Sequence, residues 1–499
     1  MERLSINLAD YGYAAQQDGF HSGMHGSENL DQLNKALAAE QITGRETADL
    51  TTASGAPLKV ESLEKTLKHI TFRESDIRLW KDLPKKAAYN TVEEYNQQTS
   101  YGANRGGWNR EGELPEEEDS IFVRRAQLVK YLGVTKSVTH QMTLVNTMIG
   151  SVMERTIKDG TLWILRTLNQ GLYFGNEKLV PEQFNGFLAQ QMQSDAWASY
   201  ADYMNSEMVV DLRGSALTED AIETAANSIV ENYGLGTQLY GPPAVLSSFV
   251  KNFYGNKFIV PNTPSLSNGI MGQRVQAFDS QFGQIGLNHD VFFKKLPSKT
   301  AASPANSQKA PNKPVWDASP AAAAAVQNGI AGSKWASTDA GNVFYGVVAI
   351  NRFGESDMAI YNTAVAAVAN GAIDLKFADG GGVNKATAYR IYRTKVGGSA
   401  TGEFFPLFDV SLDDLTRGYD GGAPGIIRDM NRFLPDCDQS ALFQFDNEVV
   451  EFAQLAPLMK MDLAVLSPAF RFMVLLYGTP FLYAPKKMVR FINIGKFVK

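Results

Sequence analysis

The amino-acid sequence predicts an α+β fold that is interrupted by an inserted all-β region. Helical and strand-like segments alternate without the regular rhythm of βαβ units, which favours α+β over a parallel α/β fold. The composition changes abruptly near residue 296, and short β-rich runs separated by turns then continue for about a hundred residues. Because the mixed texture returns near Ser440, we expect a β-sandwich inserted into a larger domain.

Composition excludes several classes of protein. The chain has 499 residues, of which 44% are hydrophobic and 20% charged, with a net charge of −6. This acidic balance gives no support to a surface that grips nucleic acid through its phosphates. Cys437 is the single cysteine, so no intrachain disulfide can form. No apolar run is long enough for a membrane span, and we expect a soluble protein made in the cytoplasm.

The first elements along the chain are an arm and a hairpin. Residues 1–60 have too few apolar side chains for a core and predict an extended arm. Two strand-like segments then flank the stretch SYGANRGGWNREGELPEEEDS, Ser100 to Ser120. Its many charges and glycines exclude a buried position. We expect a long hairpin, with faces polar enough to leave the domain body and this stretch as its tip.

Helices and further strands follow the hairpin. A wide apolar stripe predicts a long helix that ends near Gly175, and Thr218 is a natural N-cap for a second helix. A third helix begins with two prolines at residues 242–243. Residues 296–327 are rich in Pro, Ala, Ser and Lys and predict a linker, and residues 470–485 predict two buried strands.

A search for catalytic and binding motifs gives no positive signal. His21 and His25 are close in sequence, but no neighbouring Cys, Asp or Glu completes a metal set. Motifs of zinc proteases, serine hydrolases and phosphate-binding loops do not occur. Cys437 lacks a signature partner and reads as a small buried side chain. The acidic run Glu113 to Asp119 reads as a solvated loop or as a patch that meets a basic neighbour. We expect no enzyme, no metal and no cofactor.

Three stretches together resemble the major capsid proteins of tailed bacteriophages. The segment from Leu83 to Val145 is similar to their extended-loop region, and MERTIKDGTLWILRTLNQGLYFGN is similar to the long spine helix that follows it. The segment from Glu451 to Gly495 is similar to the C-terminal strands that close such a protein. The runs YGVVAINRFGESD and YRIYRT resemble fibronectin type III or immunoglobulin-like modules.

The resemblance implies a fold of the Hong Kong 97 type with an inserted β-sandwich. The implied parts are an N-terminal arm (1–60), an extended-loop region (61–150), a spine helix with peripheral and axial domain (151–296), a linker with inserted β-sandwich (297–437) and a return of axial and peripheral strands (438–499). Some shells of this family are crosslinked through a lysine of the extended loop. No lysine lies between Lys86 and Lys130 here, which argues against such a bond from the loop.

The function implied is self-assembly into the icosahedral head shell that encloses the double-stranded DNA of a tailed phage. The partners would be further copies of the chain in hexamers and pentamers, with scaffold, portal and decoration proteins, and with weak contact to packaged DNA. The shell would assemble in the host cytoplasm and become part of the virion, with the sandwich on its exterior. The implied contacts between subunits lie at the hairpin tip: Tyr101, Arg105, Trp108, Arg110, Glu116, Glu117 and Glu118.

Three alternatives stay open at this stage. A tail sheath or tube subunit would also combine an α+β core with inserted β domains, and it would form open helical polymers. A carbohydrate-acting enzyme with a fibronectin-like module would need a carboxylate pair in a cleft. For Trp108, the alternative to an anchor in a neighbouring subunit is packing back onto its own hairpin.

Overall fold

A computed structural model describes the chain from residue 71 to residue 495, with several gaps. The described residues are 71–102, 108, 110–114, 117–145, 151–256, 275–293, 296–300, 303–319, 323–464 and 467–495. All of them belong to one unit of the chain. The predicted arm, residues 1–60, lies outside the described residues, as do His21 and His25.

The described α-helices are mostly short, apart from three. They are α1 Leu79–Asp82, α2 His140–Leu144, α3 Val152–Phe174, α4 Phe187–Met192, α5 Tyr200–Met204, α6 Glu219–Glu231, α7 Pro243–Asn256 and α8 Leu412–Arg417. Single 3₁₀ turns occur at Glu74–Asp76, Val291–Phe293, Ser337–Asp339 and Pro485–Lys487. The predicted long helix is α3, and it ends before Gly175 as expected. Thr218 caps α6 as predicted, since its hydroxyl accepts a hydrogen bond from the Ala221 amide at 3.3 Å.

The strands divide into those before, within and after the β-rich region. Before it lie β1 Lys85–Ala87, β2 Val92–Ser100, β3 Ile121–Leu128, β4 Lys130–Thr139, β5 Val209–Asp211, β6 Gln238–Gly241, β7 Ala277–Ser280 and β8 Gly283–His289. Within it lie β9 Val315–Trp316, β10 Ala324–Gln327, β11 Gly341–Val343, β12 Tyr345–Asn351, β13 Gly354–Glu355, β14 Ala359–Ile360, β15 Val365–Ala367, β16 Ala372–Leu375, β17 Phe377–Ala378, β18 Ala388–Arg393, β19 Phe405–Ser411 and β20 Ile427–Asp429. After it lie β21 Asp438–Phe443, β22 Val450–Asp462, β23 Ala469–Leu482 and β24 Met488–Ile494.

The first large sheet has four strands in the order β1-β22-β23-β4. β1 runs parallel to β22, and the other neighbours are antiparallel. Helix α3 lies across this sheet, with Gly160 facing Val134 and Val474 at a distance that leaves little room for a side chain. The buried leucines and isoleucine of α3 join β22, β23 and the residues around α1 in one apolar core. The amphipathic stripe read from the sequence is therefore the buried face of α3.

The prediction of two strands in residues 470–485 is wrong, because β23 is a single strand that passes through Gly478 and Pro480. Proline lacks the amide proton that a central strand needs. Pairing between β23 and β4 ends at Gly478, so Pro480 is not required to donate a backbone hydrogen bond to β4. Beyond Gly478, the Gln190 side chain supplies the hydrogen bonds that β4 no longer provides. Its Nε2 donates to the Pro480 carbonyl at 2.8 Å, and its Oε1 accepts from the Leu482 amide at 2.8 Å.

The second large sheet has six strands in the order β5-β24-β21-β6-β8-β7. Helices α6 and α7 cover it, and Ile222, Ile229 and Phe249 belong to the shared apolar cluster. The chain leaves this sheet after β8 and re-enters it with β21, and both strands lie beside β6. Everything between them is therefore an insertion between strands that stay close in space.

The inserted β-rich region contains two principal sheets that contribute to one apolar cluster. One has the order β13-β12-β18-β19 with β14 beside β12, and the other has the order β10-β16-β20. Alternate residues of β12 and β18, among them Tyr345, Val347 and Ile391, share the cluster with Ile373 and Leu375 of β16. Two-stranded pairs β11-β15 and β9-β17 complete the region. An immunoglobulin-like or fibronectin-like topology stays a prediction.

Residues 296–327 do not behave as the free linker that their composition predicts. They contribute β9 and β10, and Lys299 bridges to Phe404. Trp316 packs on Phe377 and Tyr361 and donates from its indole nitrogen to the Ala359 carbonyl at 3.0 Å. Proline and alanine are tolerated here because short paired segments on a domain surface need few ladder bonds.

The β-rich region packs firmly on the rest of the unit. Leu407 and Phe433 share a buried cluster with Tyr203, Val209 and Ile492. Beside this cluster, Arg213 forms an ion pair with Asp339 at 2.7 Å. Asn493 also donates to the Arg432 carbonyl at 2.7 Å. An apolar cluster with polar bonds around it fixes the orientation of the region, so it is not a tethered domain.

Candidate assembly surface

The hairpin formed by β2 and β3 is a long and largely exposed element of the described chain. The strands pair antiparallel from Val92–Leu128 to Ser100–Ile121, with an irregularity between Gln98 and Ser100. No residue of either strand is fully buried. At about 3.3 Å per residue, nine residues carry the tip roughly 30 Å along the strand direction. Such a hairpin has most of its surface available to another molecule.

One face of the hairpin is attached to the body. The Tyr95 ring makes edge contacts with Phe481 and Tyr483, at centroid distances of 5.4 and 4.8 Å. Gln97 donates to the Tyr483 carbonyl, and Arg125 bonds both Gln97 and the Asp195 carboxylate. Burial raises the pKa of the Tyr95 hydroxyl, and the Arg125 charge opposes this shift. The ring therefore stays neutral at physiological pH. The expectation that both faces leave the body is wrong for this one.

The opposite face of the hairpin is open. Because side chains alternate across a strand pair, the partners Val92 and Leu128 both point to this side, as do Gln98 and Phe122. Phe122 is 66% exposed, and Leu128 is 49% exposed. Between them, Arg124 and Glu94 form an exposed ion pair at 3.4 Å, which stabilises the hairpin little. Large apolar side chains left in water on a projecting element indicate a contact surface.

The tip carries the most exposed large apolar side chains of the described hairpin. Trp108 is 96% exposed, Leu114 90% and Tyr101 87%. Among the described residues of the hairpin, Trp108 therefore finds no packing and lies almost fully in water. Gly112 has a φ of 85°, a left-handed conformation that glycine adopts readily, and it lies in a turn closed by Arg110 and Glu113.

The predicted tip residues fall in two groups. Tyr101, Trp108, Arg110, Glu117 and Glu118 lie in the described part of the segment between β2 and β3, with Glu118 against Gly102. Arg105 and Glu116 lie outside the described residues. Their role in contacts between subunits stays a prediction.

Sequence reasoning missed the residues that hold the hairpin, above all Tyr95 and Gln97, and the exposed Phe122 on its open face. The alternation of large and polar residues in these strands is the signal that could have assigned the two faces. Which face meets the body depends on β23, which lies far along the chain.

Two further observations bear on the kind of site. The described residues contain no group of three or more His, Cys, Asp or Glu with the geometry to hold a metal ion. None of the helices in the described part of the chain is both long and apolar enough to cross a membrane.

Comparison with known proteins points to phage capsids. The chain is 24% identical over 479 residues to the major capsid protein of Staphylococcus phage S25-3, which covers 93% of this chain and 96% of that protein. It is 24% identical over 485 residues to the major capsid protein of Staphylococcus phage K, with the same coverage of both chains. It is 25% identical over 449 residues to a putative major capsid protein of Enterococcus phage phiEF24C, covering 88% of this chain. No protein-family model matches the chain.

Solved structures give more distant matches. The capsid of an empty GTA particle aligns over 89% of this chain and 99% of its own, with 8% identity and a TM-score of 0.44. The structure of Mycobacterium phage Adephagia aligns over 91% of this chain and 100% of its own, with 7% identity and a TM-score of 0.41.

The relatives support the resemblance to a major capsid protein of tailed phages. These relatives are named as major capsid proteins and match this chain over nearly its whole length, which agrees with the prediction that the chain is not an enzyme. The observed fold mixes helices and sheets as predicted.

Proposed function

We propose that this chain is the major capsid protein of a tailed bacteriophage and that it assembles into the icosahedral shell around the double-stranded DNA genome. The observation that carries the proposal is the match to phage major capsid proteins over 93% of this chain and 96% of theirs. A match that spans both chains argues for a shared architecture, whereas a match to the β-rich region alone would not.

The geometry agrees with an assembly protein. Closed shells require each subunit to present complementary surfaces, and many modest contacts add up to a stable particle. The hairpin provides such a surface because Trp108 and Leu114 at its tip and Phe122 on its open face remain mostly in water. We assign the contacts between subunits to the tip, including Tyr101 and Arg110.

The finer features belong to the same proposal. The fold is of the Hong Kong 97 type, with α3 as its spine helix, and the β-rich region is an immunoglobulin-like insertion on the shell exterior. Assembly takes place in the host cytoplasm with scaffold, portal and decoration proteins, and the shell makes weak contact with DNA. The insertion between two strands that flank β6 in one sheet supports an added module, because the body sheet is complete without it.

The deciding experiment compares the full chain with a variant that lacks residues 102–117. Size-exclusion light scattering and negative-stain imaging should show closed particles or rings for the full chain. The variant should remain a folded monomer, because Ser100 and Ile121 already pair at the base of the deleted tip. Particles of normal size from the variant would refute the role of the tip. Tubes from the full chain would instead favour a tail subunit. Absence of particles, even beside the other virion proteins, would refute the capsid proposal.

A further inference from the structure

A wide cleft borders helix α7 on the second large sheet. Its cavity volume is about 650 Å³, within the range of about 300–1,000 Å³ that is usual for ligand sites. Residues of α7, β6 and β8 line it, together with Arg78, Val275 and Gln276. We refer to it as the α7 cleft.

The charged side chains that line the α7 cleft are all basic. Arg78 and Lys251 contribute cations and His289 an imidazole, whereas no Asp or Glu is among the described lining residues. This bias occurs in a chain whose net charge is −6. Asp82 follows Arg78 by four residues, but its carboxylate accepts a hydrogen bond from the Tyr240 hydroxyl at 2.9 Å. No described carboxylate lies within ion-pair distance of Arg78 or Lys251, so the cleft holds positive charge without a counter-charge.

The side of the cleft formed by β6 and β8 carries a positioned amide group. Gln238 accepts a hydrogen bond at Oε1 from Nδ2 of Asn288, which fixes the orientation of its side chain. Gly286 leaves room for this arrangement, since a Cβ there would lie 2.5 Å from the same Oε1. Within the described chain, Nε2 of Gln238 makes no hydrogen bond and can donate to a carbonyl or carboxylate oxygen of a ligand.

The remaining wall of the cleft is aliphatic. Leu246 and Val250 of α7 and Leu287 of β8 line it, and all three pack partly buried against the apolar cluster of the second large sheet. A wall held by a core keeps its shape before a ligand arrives and suits an aliphatic side chain. No Phe, Tyr or Trp is among the described lining residues, so the cleft offers none of the rings on which a nucleobase usually stacks.

The segment of the chain next to the cleft does not supply the missing negative charge. Residues 257–274 follow α7 in the sequence and contain no Asp or Glu, whereas they include Lys257 and Arg274. Charge complementarity therefore points to a ligand from outside this part of the chain.

We propose that the α7 cleft binds an acidic peptide segment of a partner protein, with aliphatic side chains between its carboxylates. The carboxylates bind Arg78 and Lys251, an aliphatic side chain packs on Leu246 and Leu287, and Gln238 donates to the peptide backbone. This inference goes beyond the proposed function and does not depend on it. Nucleic acid is the less suitable occupant, because its phosphates would use the cations but its bases would find no ring to stack on.

A binding measurement on the purified full chain tests the site. The probe is a short fluorescent peptide of leucine and glutamate, and fluorescence anisotropy follows its binding. The variant with Arg78→Glu and Lys251→Glu should bind it at least about tenfold more weakly, because like charges then face one another. Lys251→Glu alone changes an exposed side chain of α7 and should still weaken binding, which keeps the test valid if the double variant fails to fold. The matched control, Lys313→Glu with Lys385→Glu, changes two exposed lysines of the β-rich region and should bind normally.

Changes in the probe separate the contributions of charge and apolar contact. A peptide of leucine and lysine should not bind, and a peptide of serine and glutamate should bind more weakly than the leucine–glutamate peptide. Equal binding of the serine peptide would show charge attraction alone and would overturn the docking site. Tighter binding of a single-stranded oligonucleotide, lost in the Arg78→Glu, Lys251→Glu chain, would assign the cleft to nucleic acid. Absence of peptide binding, or an equal loss in the control variant, would also overturn the proposal.

A second measurement identifies the partner. Ser247 is an exposed residue of α7 that lines the cleft, and p-benzoylphenylalanine in its place crosslinks to whatever occupies the site. In the full chain expressed beside the other virion proteins, mass spectrometry should find a crosslinked segment of a second protein in which Asp and Glu outnumber Lys and Arg. The same replacement at Lys385 is the control and should not capture this segment. Crosslinks to DNA, to another stretch of this chain, or to nothing would overturn the proposal. Absence of particles in this experiment would refute the proposed function and leave the peptide-binding result unchanged.

Discussion

Removing the Asp429 carboxylate should strongly destabilise the β-rich region. Asp429 and Arg393 are 1% and 2% exposed, and they form an ion pair at 2.6 Å. The Tyr345 hydroxyl donates to the same carboxylate at 2.7 Å, and the Arg393 guanidinium lies 4.6 Å from the centre of the Trp335 ring. Asp429→Ala would leave the buried cation without its counter-charge.

The magnitude follows from the burial of this pair. Breaking a buried ion pair from one side costs about 3–5 kcal/mol, since the remaining charge stays desolvated. With a urea dependence of about 1–3 kcal/mol per M, the unfolding midpoint falls by about 1 M or more. Intrinsic tryptophan fluorescence follows the transition, and Trp335 contributes to it from beside the guanidinium.

The matched control is Asp413→Ala, which breaks the exposed pair of Asp413 and Arg417 on α8. An exposed pair contributes about 0–1 kcal/mol, so its midpoint should barely move. Replacing both buried partners, with Arg393→Met and Asp429→Leu, should recover part of the loss because no charge remains. A midpoint for Asp429→Ala within about 0.3 M of the unaltered protein would refute the reasoning, since that shift corresponds to less than about 1 kcal/mol.

Three further changes test other parts of the fold. Thr218→Ala should lower the free energy of unfolding by about 1 kcal/mol in a denaturant titration, because the helix cap is lost; Thr218→Ser should retain most of it. Gly175→Ala should destabilise strongly in the same titration, because its Cβ would lie 2.6 Å from two carbonyl oxygens. Burial alone would raise the pKa of Glu355, but Arg390 and Lys299 lower it overall. This carboxylate therefore stabilises the fold above its unfolded pKa of about 4.3, and the contribution is lost as pH falls through the lower folded value. Glu355→Gln should flatten that acid limb of a stability–pH profile, and an unchanged limb would contradict the assignment.

The sequence predicted the elements whose stabilising interactions lie within a single segment of the chain. The stripe and stop signal of α3 and the cap of α6 depend on residues within one helix, and the structure agrees with them. The hairpin was predicted because its alternation and turn residues lie within one segment. The same logic identified the exposed tip, since so many charges could not be buried.

Features that depend on distant segments could not be predicted. The run containing Pro480 reads as two strands until one knows that β4 ends beside it and that Gln190 supplies the missing bonds. Residues 296–327 read as a linker because nothing local announces their pairing with the rest of the β-rich region. The exposure of Trp163 and Phe174 could not be predicted because both residues fit an ordinary amphipathic helix, and their exposure is visible only in three dimensions.

The strand order of the two large sheets also determines when each strand can pair during translation. β1 and β4 can pair only with β22 and β23, and β5 and β6 need β24 and β21 beside them. These later four strands are translated after the whole β-rich region. The β-rich region can therefore fold while the apolar underside of α3 still lacks its covering strands. Pairings this distant in sequence form slowly. A nascent chain thus has its hairpin and α3 long before it has the completed sheets that hold them.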